Sequence, residues 1–210
     1  MAELPEIMTL AQQISHELEA KEFESVDVIQ EKCLNMEKDI FINSIIGKKI
    51  IRAYNRGKWI FINLSENGNL LLSPGMGADI LYYTAGKNWP EKYQCRFHFK
   101  DHSGFTCRFW WFGHVEYVND DELDGHKPTR DIAPSPLDEN FTLEYFRKLA
   151  RGRSQIKNLI TNQKKIGGIG NVYIHDILFK AKSEPRRARR AQRTKNTGFE
   201  DFCVFTSCPL

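Results

Sequence analysis

The feature that most restricts this chain is a series of seven short apolar runs between Ile50 and Val118, each four to six residues long and separated by Gly, Asn and Asp. They are Ile50–Tyr54, Trp59–Leu64, Leu70–Ser73, Ile80–Thr84, Gln94–Phe99, Phe105–Phe109 and Val115–Val118, rich in β-branched and aromatic residues. Runs of this length and composition read as strands, and so many at short intervals point to a sandwich or barrel. Two of the gaps, Glu66-Asn67-Gly68-Asn69 and Asp101-His102-Ser103-Gly104, carry turn residues suited to hairpins.

On either side the pattern changes. From Pro5 to Ala20, Ile7, Leu10, Ala11, Ile14 and Leu18 recur at helical spacing, and Pro5 suits a first turn, where its missing N–H costs nothing. The stretch 124–140 holds Pro128, Pro134 and Pro136 and ends the strand pattern, as a linker does. Beyond it Phe141–Ala150, Gln155–Asn162 and Val172–Lys182 read as three short helices, with Thr142 or Ser154 as caps. The expected architecture is α+β: an N-terminal helix and β-sandwich lobe over 1–125, a linker over 126–140, a helical lobe over 141–185 and a basic tail over 186–210, onto which no structure is forced.

With 210 residues, 41% of them hydrophobic, the chain can bury a core without disulfides or metal. No apolar run reaches the roughly 18 residues of a membrane span, and the acidic start Met1-Ala2-Glu3-Leu4-Pro5-Glu6 lacks the layout of a secretory signal. The expected compartment is the cytoplasm, on the nucleoid if the source is bacterial. Cys33, Cys95, Cys107, Cys203 and Cys208 are scattered, with no Cys-x-x-Cys pair, so reduced thiols are expected. Lys180–Lys195 holds eight Lys or Arg against one acid, Glu184, which is either a footprint for phosphates or a solvated tail.

The sharpest local signal is Lys165-Ile166-Gly167-Gly168-Ile169-Gly170-Asn171-Val172-Tyr173. Glycines between two helices allow a tight turn that presents N–H groups at the next helix N-terminus, an anion site with Asn171 as a further donor. The plainer account is a Gly-rich turn without a ligand.

At this point the chain resembles the formamidopyrimidine-DNA glycosylase and endonuclease VIII family of base-excision repair enzymes, from the N-terminus to about Pro185. Four segments in order carry the resemblance: Glu3-Leu4-Pro5-Glu6, Arg56-Gly57-Lys58-Trp59, the two loop segments Leu72-Ser73-Pro74-Gly75-Met76 and Arg108–Gly113, and the helix–two-turns–helix element Gln163–Phe179. The resemblance implies a glycosylase with abasic-site lyase activity on double-stranded DNA, acting through a Schiff base at the N-terminal amine. No membrane or obligate protein partner is expected. By position the catalytic set is Ala2 as nucleophile once Met1 is removed, Glu3 as acid–base partner in a largely desolvated site, Glu6 to orient the amine, and Lys58 on the phosphate beside the lesion. The DNA-binding set is Met76, Trp111, Phe112, Lys157, Gly168, Gly170 and Asn171.

Several positions depart from the family. Its usual nucleophile is proline, where this chain has Ala2. Many members carry an arginine before Phe-Gly, where this chain has Trp111, a residue that either stacks in the opened duplex or belongs to a core. Ser73-Pro74 replaces the more usual His-Leu. The family's β-hairpin finger, commonly held by four cysteines around zinc, has no counterpart here, since Cys203 and Cys208 stand alone; the helical lobe is read as truncated, and no cofactor is expected in this chain. The alternative reading is a weakly active or inactive protein on the same scaffold that binds damaged DNA.

Overall fold

The computed structural model describes residues 2–152 and 154–182. The chain opens with helix α1 (Leu4–Leu18), whose Ile7, Ala11, Ile14 and Leu18 are buried as the spacing predicts. Then follow β1 (Phe23–Val28), a short 3-10 turn (Glu31–Cys33), α2 (Lys38–Ile45), β2 (Ile50–Arg56), β3 (Trp59–Leu64), β4 (Gly68–Ser73), β5 (Asp79–Tyr83), β6 (Cys95–Phe99), β7 (Gly104–Arg108), β8 (His114–Asn119) and the single turn α3 (Asp120–Leu123). The helical part comprises α4 (Leu143–Ala150), α5 (Ile156–Ile160) and α6 (Tyr173–Lys180).

The strands form two four-stranded antiparallel sheets, in the orders β1-β6-β7-β5 and β2-β3-β4-β8. Alternate residues of both sheets meet in one apolar core: Phe23, Phe97, Phe99 and Phe105 from the first, and Ile60, Ile62, Leu70, Leu72 and Val115 from the second. Phe97 and Phe105 stack at 4.5 Å. β3 is apolar nearly throughout because both of its faces are covered: Trp59 and Phe61 form a second cluster with Leu71 and Val118, against which Ile132 packs. Both anticipated hairpins are present, with left-handed backbone at Glu66, Asn67 and His102.

Three elements differ from the reading of the sequence. β1 is an eighth strand, paired with β6, and its bulge between Phe23 and Ser25 breaks the two-residue alternation by which strands are recognised. α2 is only eight residues long and rich in isoleucine, so neither length nor propensity marks it as a helix. Thr142 caps α4 by accepting from the Tyr145 N–H at 3.1 Å, whereas Ser154 caps nothing: the N-cap of α5 is Gln155, with no side-chain bond. The connecting stretch is closely packed, with Thr129 and Ser135 buried and the Arg56 guanidinium donating to the carbonyls of Arg130 and Ile132. Ile177 and Leu178 pack in the helical lobe, while Phe179 of α6 stays exposed. Among the described residues no helix is long and apolar enough to cross a membrane. The basic tail and Cys203 and Cys208 lie outside the described residues.

One surface pair joins distant turns: the Lys21 ammonium, just after α1, donates to Asp101 in the β6–β7 hairpin. Partial burial raises the Asp101 carboxyl, but Lys21 and the Ser103 hydroxyl and N–H outweigh it, holding the group down at about 2 against an ordinary 3.8. A depressed carboxyl contributes stability that is present above its ordinary value and is lost as pH falls toward the depressed one. Thermal melts of Asp101→Asn should therefore be flatter than those of the native chain between about pH 5 and pH 2; identical slopes would show that the pair does not contribute.

Candidate active site

The site is organised by the residue that precedes α1. Glu3 has extended backbone, and its side chain, 1% exposed, reaches the Gly-rich turn of the helical lobe. One carboxylate oxygen accepts from the Val172 N–H at 2.9 Å, the other from Gly170 at 2.7 Å and Tyr173 at 3.3 Å. These are orphan donors at the start of α6, where the helix dipole also favours negative charge. The turn is thus an anion site whose occupant is internal. Gly170 gives its N–H to Glu3, and Gly168 gives its own to the Gln163 side chain at 2.9 Å. Asn171 is exposed at the mouth of the turn.

The glycines are sterically required. A Cβ on Gly170 would stand 2.3 Å from both a Glu3 carboxylate oxygen and Lys58 Nζ, so the absent side chain lets these two groups converge. Gly168 has φ +91° and lies against Leu4, whose N–H donates to the Gly168 carbonyl at 3.0 Å. Lys58 is delivered by the β2–β3 hairpin, and Gly57 beside it fits against Ile132. Burial pushes the Lys58 ammonium below its ordinary value, opposed by the charge of Glu3.

Glu6, in the first turn of α1, accepts from the Glu3 N–H at 3.0 Å and from the Tyr173 hydroxyl at 2.5 Å. Partial burial raises its carboxyl, but the Tyr173 hydroxyl and the Glu3 N–H lead a set of contacts that bring it below the ordinary range. Its bond to Glu6 pushes the Tyr173 phenol up in turn.

Above this base lies a cavity of about 290 Å³, lined among others by Ala2, Lys58, Ser73, Phe112, His114 and Gln163. A second hollow, of about 390 Å³ beside β5, is lined by none of the candidate catalytic or DNA-binding residues, though Arg108 borders it. Ala2 and Lys58 therefore share one wall-bounded space. Lys157, on α5, is half-buried and does not line it.

Two loops form the rim. Met76 donates its N–H to the Trp111 carbonyl at 2.9 Å and accepts from the Trp110 N–H at 2.8 Å. Phe109 is anchored by reciprocal bonds to the Gln94 side chain, and beyond it Trp110, Trp111 and Phe112 project into solvent, 69%, 65% and 73% exposed. Phe112 has left-handed backbone, φ +57°. Gly75 and Gly77 make the approach possible: a Cβ on the first would meet the Trp111 carbonyl at 2.3 Å, and one on the second the Trp110 ring at 2.7 Å. Trp111 is thus no core residue. Trp110, Gln163, Tyr173 and His114 escaped the reading of the sequence. The first three lie in segments already singled out, while His114 carries no local signal.

Among the described residues no group of three or more His, Cys, Asp or Glu could hold a metal ion. Cys33, Cys95 and Cys107 are buried in the sandwich and do not fit the family's zinc finger.

Both lobes are similar to those of known proteins. Residues 1–110 match the formamidopyrimidine-DNA glycosylase N-terminal domain and residues 132–200 the helix–two-turns–helix domain of the same enzymes. The formamidopyrimidine-DNA glycosylase of Pelotomaculum thermopropionicum is 32% identical over 198 residues, spanning 89% of this chain and 69% of that protein. The Legionella pneumophila enzyme is 31% identical over 202 residues, spanning 93% and 71%. The Lactococcus lactis Fpg, crystallised with abasic-site DNA, superposes with a TM-score of 0.79 at 20% identity over 88% of this chain and 69% of its own, a likeness of fold.

The crowding at Gly170 is testable without any substrate. Gly170→Ala should lower stability to urea by about 1–3 kcal/mol, the ordinary cost of overpacking a tight contact. A change within about 0.5 kcal/mol, typical of an indifferent surface site, would show that Glu3 and Lys58 do not converge there.

Proposed function

This chain belongs to the formamidopyrimidine-DNA glycosylase family, and from that premise we propose that it is a bifunctional DNA glycosylase and abasic-site lyase of base-excision repair, with Ala2 as its nucleophile. Its substrate is double-stranded DNA carrying damaged bases or abasic sites. The observation that carries the residue assignment is that Ala2 and Lys58 line one cavity while Glu3 is locked beneath it.

With Met1 removed, the α-amine of Ala2 opens onto that cavity. Only a neutral amine is nucleophilic, and an α-amine, with a model value near 8, is neutral far more often at neutral pH than a lysine near 10. The amine attacks the sugar C1′, the C1′–N bond to the base breaks, and loss of the ring oxygen as a hydroxyl leaves an imine. Glu3 is the acid–base partner. A carboxylate offers about four acceptor sites; three are filled from the backbone, and the remaining capacity faces the Lys58 side. Glu6 and Tyr173 hold the first turn of α1 that carries the amine, and Lys58 contacts the neighbouring phosphate. Met76, Trp111 and Phe112, joined by Trp110, fill the gap left by the extracted nucleotide, offsetting part of the unstacking cost.

Ala2 forms a primary-amine imine, which can lose its proton and become neutral, whereas proline gives a permanently cationic iminium. The first elimination is retained and the second is slower or incomplete. The working division is a catalytic lobe over 1–125, a connection over 126–140, a DNA-binding lobe over 141–185 that includes Lys157, Gly168, Gly170 and Asn171, and a tail over 186–210 adding salt-sensitive affinity. The activity belongs to the cytoplasm, on the nucleoid in a bacterium.

Borohydride trapping on a duplex with one abasic site should give a covalent adduct that disappears when the N-terminal amine is blocked. Intact binding without an adduct would identify a non-catalytic binder instead. Separately, Trp111→Ala should weaken binding to abasic-site duplex by about 1–3 kcal/mol, the usual range for losing one stacked base, while leaving binding to undamaged duplex nearly unchanged; an equal loss on both would place Trp111 outside the opened step.

A further inference from the structure

Beside the cavity lies a cluster that the mechanism above does not use. Glu116, on β8, is 5% exposed and has imidazoles on two sides: its carboxylate is 2.6 Å from His126 Nε2 and 3.3 Å from His114 Nδ1. His126 is itself held at Nδ1 by the buried Thr129 hydroxyl at 2.8 Å. The Trp59 ring stacks on His114 and meets His126 edge-on, with centroids 5.9 Å away in both cases. His114 is half-exposed and lines the same cavity as Ala2.

A buried carboxylate is costly unless it is paired, and an ionised one only accepts hydrogen bonds. The nitrogens turned toward Glu116 are therefore the protonated ones, an assignment made from the partners. A neutral imidazole carries a single N–H, and the Glu116 charge 3.3 Å from His114 Nδ1 favours the proton on that nitrogen, which leaves the Nε2 lone pair on the other edge of the ring. A carboxylate behind an imidazole fixes tautomer and orientation in this way in the Ser-His-Asp arrangement, where the histidine serves as base.

We propose that His114 is the base that removes the C2′ proton during strand cleavage, with Glu116 as its positioning residue and His126 as the support for Glu116. The inference rests on the imine mechanism proposed above. Once Ala2 is bonded to C1′, the C2′ carbon is one bond further along the sugar in the cavity that His114 lines. His114 Nε2 takes the C2′ proton, and the C–H electron pair forms a C1′=C2′ bond as the imine electrons return to nitrogen. The enamine then expels the 3′-phosphate with the C3′–O electron pair and leaves a C2′=C3′ bond. The proton passes from His114 to solvent, and no oxidant or reductant is involved.

The charged and titratable groups facing His114 are Glu116 on its own strand, His126 after α3, Lys58 in the β2–β3 hairpin and the Ala2 amine at the start of α1. Lys58 is the competing base on the cavity wall: burial holds its ammonium below its ordinary value and the Glu3 charge opposes this only in part, but its proposed contact with the neighbouring phosphate is a task for the charged form. The base works only when neutral, so cleavage should rise with pH.

The test measures imine and cleavage separately on one abasic-site duplex. In His114→Gln, which keeps a side chain of similar reach at a half-exposed position, the borohydride-trapped adduct should form at the native level while strand cleavage falls about a hundredfold, within the range for loss of a general base, and its rise with pH disappears. Glu116→Gln should retain that rise but displace it along the pH axis. An unchanged ratio of cleavage to adduct in His114→Gln, or a parallel loss of both, overturns the assignment while the Ala2 imine stands. Absence of an adduct from the native chain removes both.

Discussion

The contact between the Glu3 carboxylate and the start of α6 is the constraint from which the rest of the site follows. It joins residues 167 or more positions apart and ties the first turn of α1 to the last connection of the helical lobe. A buried carboxylate is retained only with several well-aligned donors, and here three backbone N–H groups and a helix dipole supply them. The same geometry dictates Gly170, because any larger residue would separate Glu3 from Lys58. It also dictates where Ala2 stands, since the residue after it in the chain is immobilised from both sides, by the helical lobe through its side chain and by Glu6 through its N–H.

That contact needs a stiff support, which the sandwich provides. β3, buried on both faces, carries the hairpin that delivers Lys58, and Arg56 at its base holds the connecting stretch through two carbonyls. The connection is thus part of the packed structure. Ala133 donates to the Gln163 carbonyl and Gly167 to that of Pro134, so the segment between the lobes is tied at these two residues to the stretch that carries the Gly-rich turn. Precise placement of the nucleophile proposed here, Ala2, so near the chain start, ordinarily the most mobile part of a chain, is physically reasonable in this setting.

How much of this was legible depended on how local the cause was. Trp59–Leu64 appears in the structure with the bounds its composition implies, and α1 differs by only a residue or two at each end. β1 was hidden by its bulge, α2 by its shortness. The Gly-rich turn announced an anion site but not its occupant, because Glu3 comes from the opposite end of the chain and nothing local links the two. Family resemblance named Glu3 and Lys58; it took the backbone donors at α6 to show how Glu3 is held. At the rim the residues left two readings of Trp111 open, stacking in an opened duplex or core packing; Trp110 and Trp111 are exposed, on a loop that Gly75 and Gly77 allow to bond closely to its neighbour. His114 depends on Glu116 and His126, a grouping made by a strand and a later segment.

The rim also shows how a strained loop can be stable before any ligand arrives. Left-handed backbone at a residue as large as Phe112 costs on the order of 1–3 kcal/mol, and three exposed aromatic rings gain nothing from burial in the free protein. Against this stand the two backbone bonds between Met76 and the tryptophans and the anchoring of Phe109 by Gln94, each contributing about 0.5–1.5 kcal/mol. The terms are of the same size, so the loop holds its shape without a partner. In the wedge role proposed for it, a loop already in place would add no ordering cost to the unstacking of a base pair.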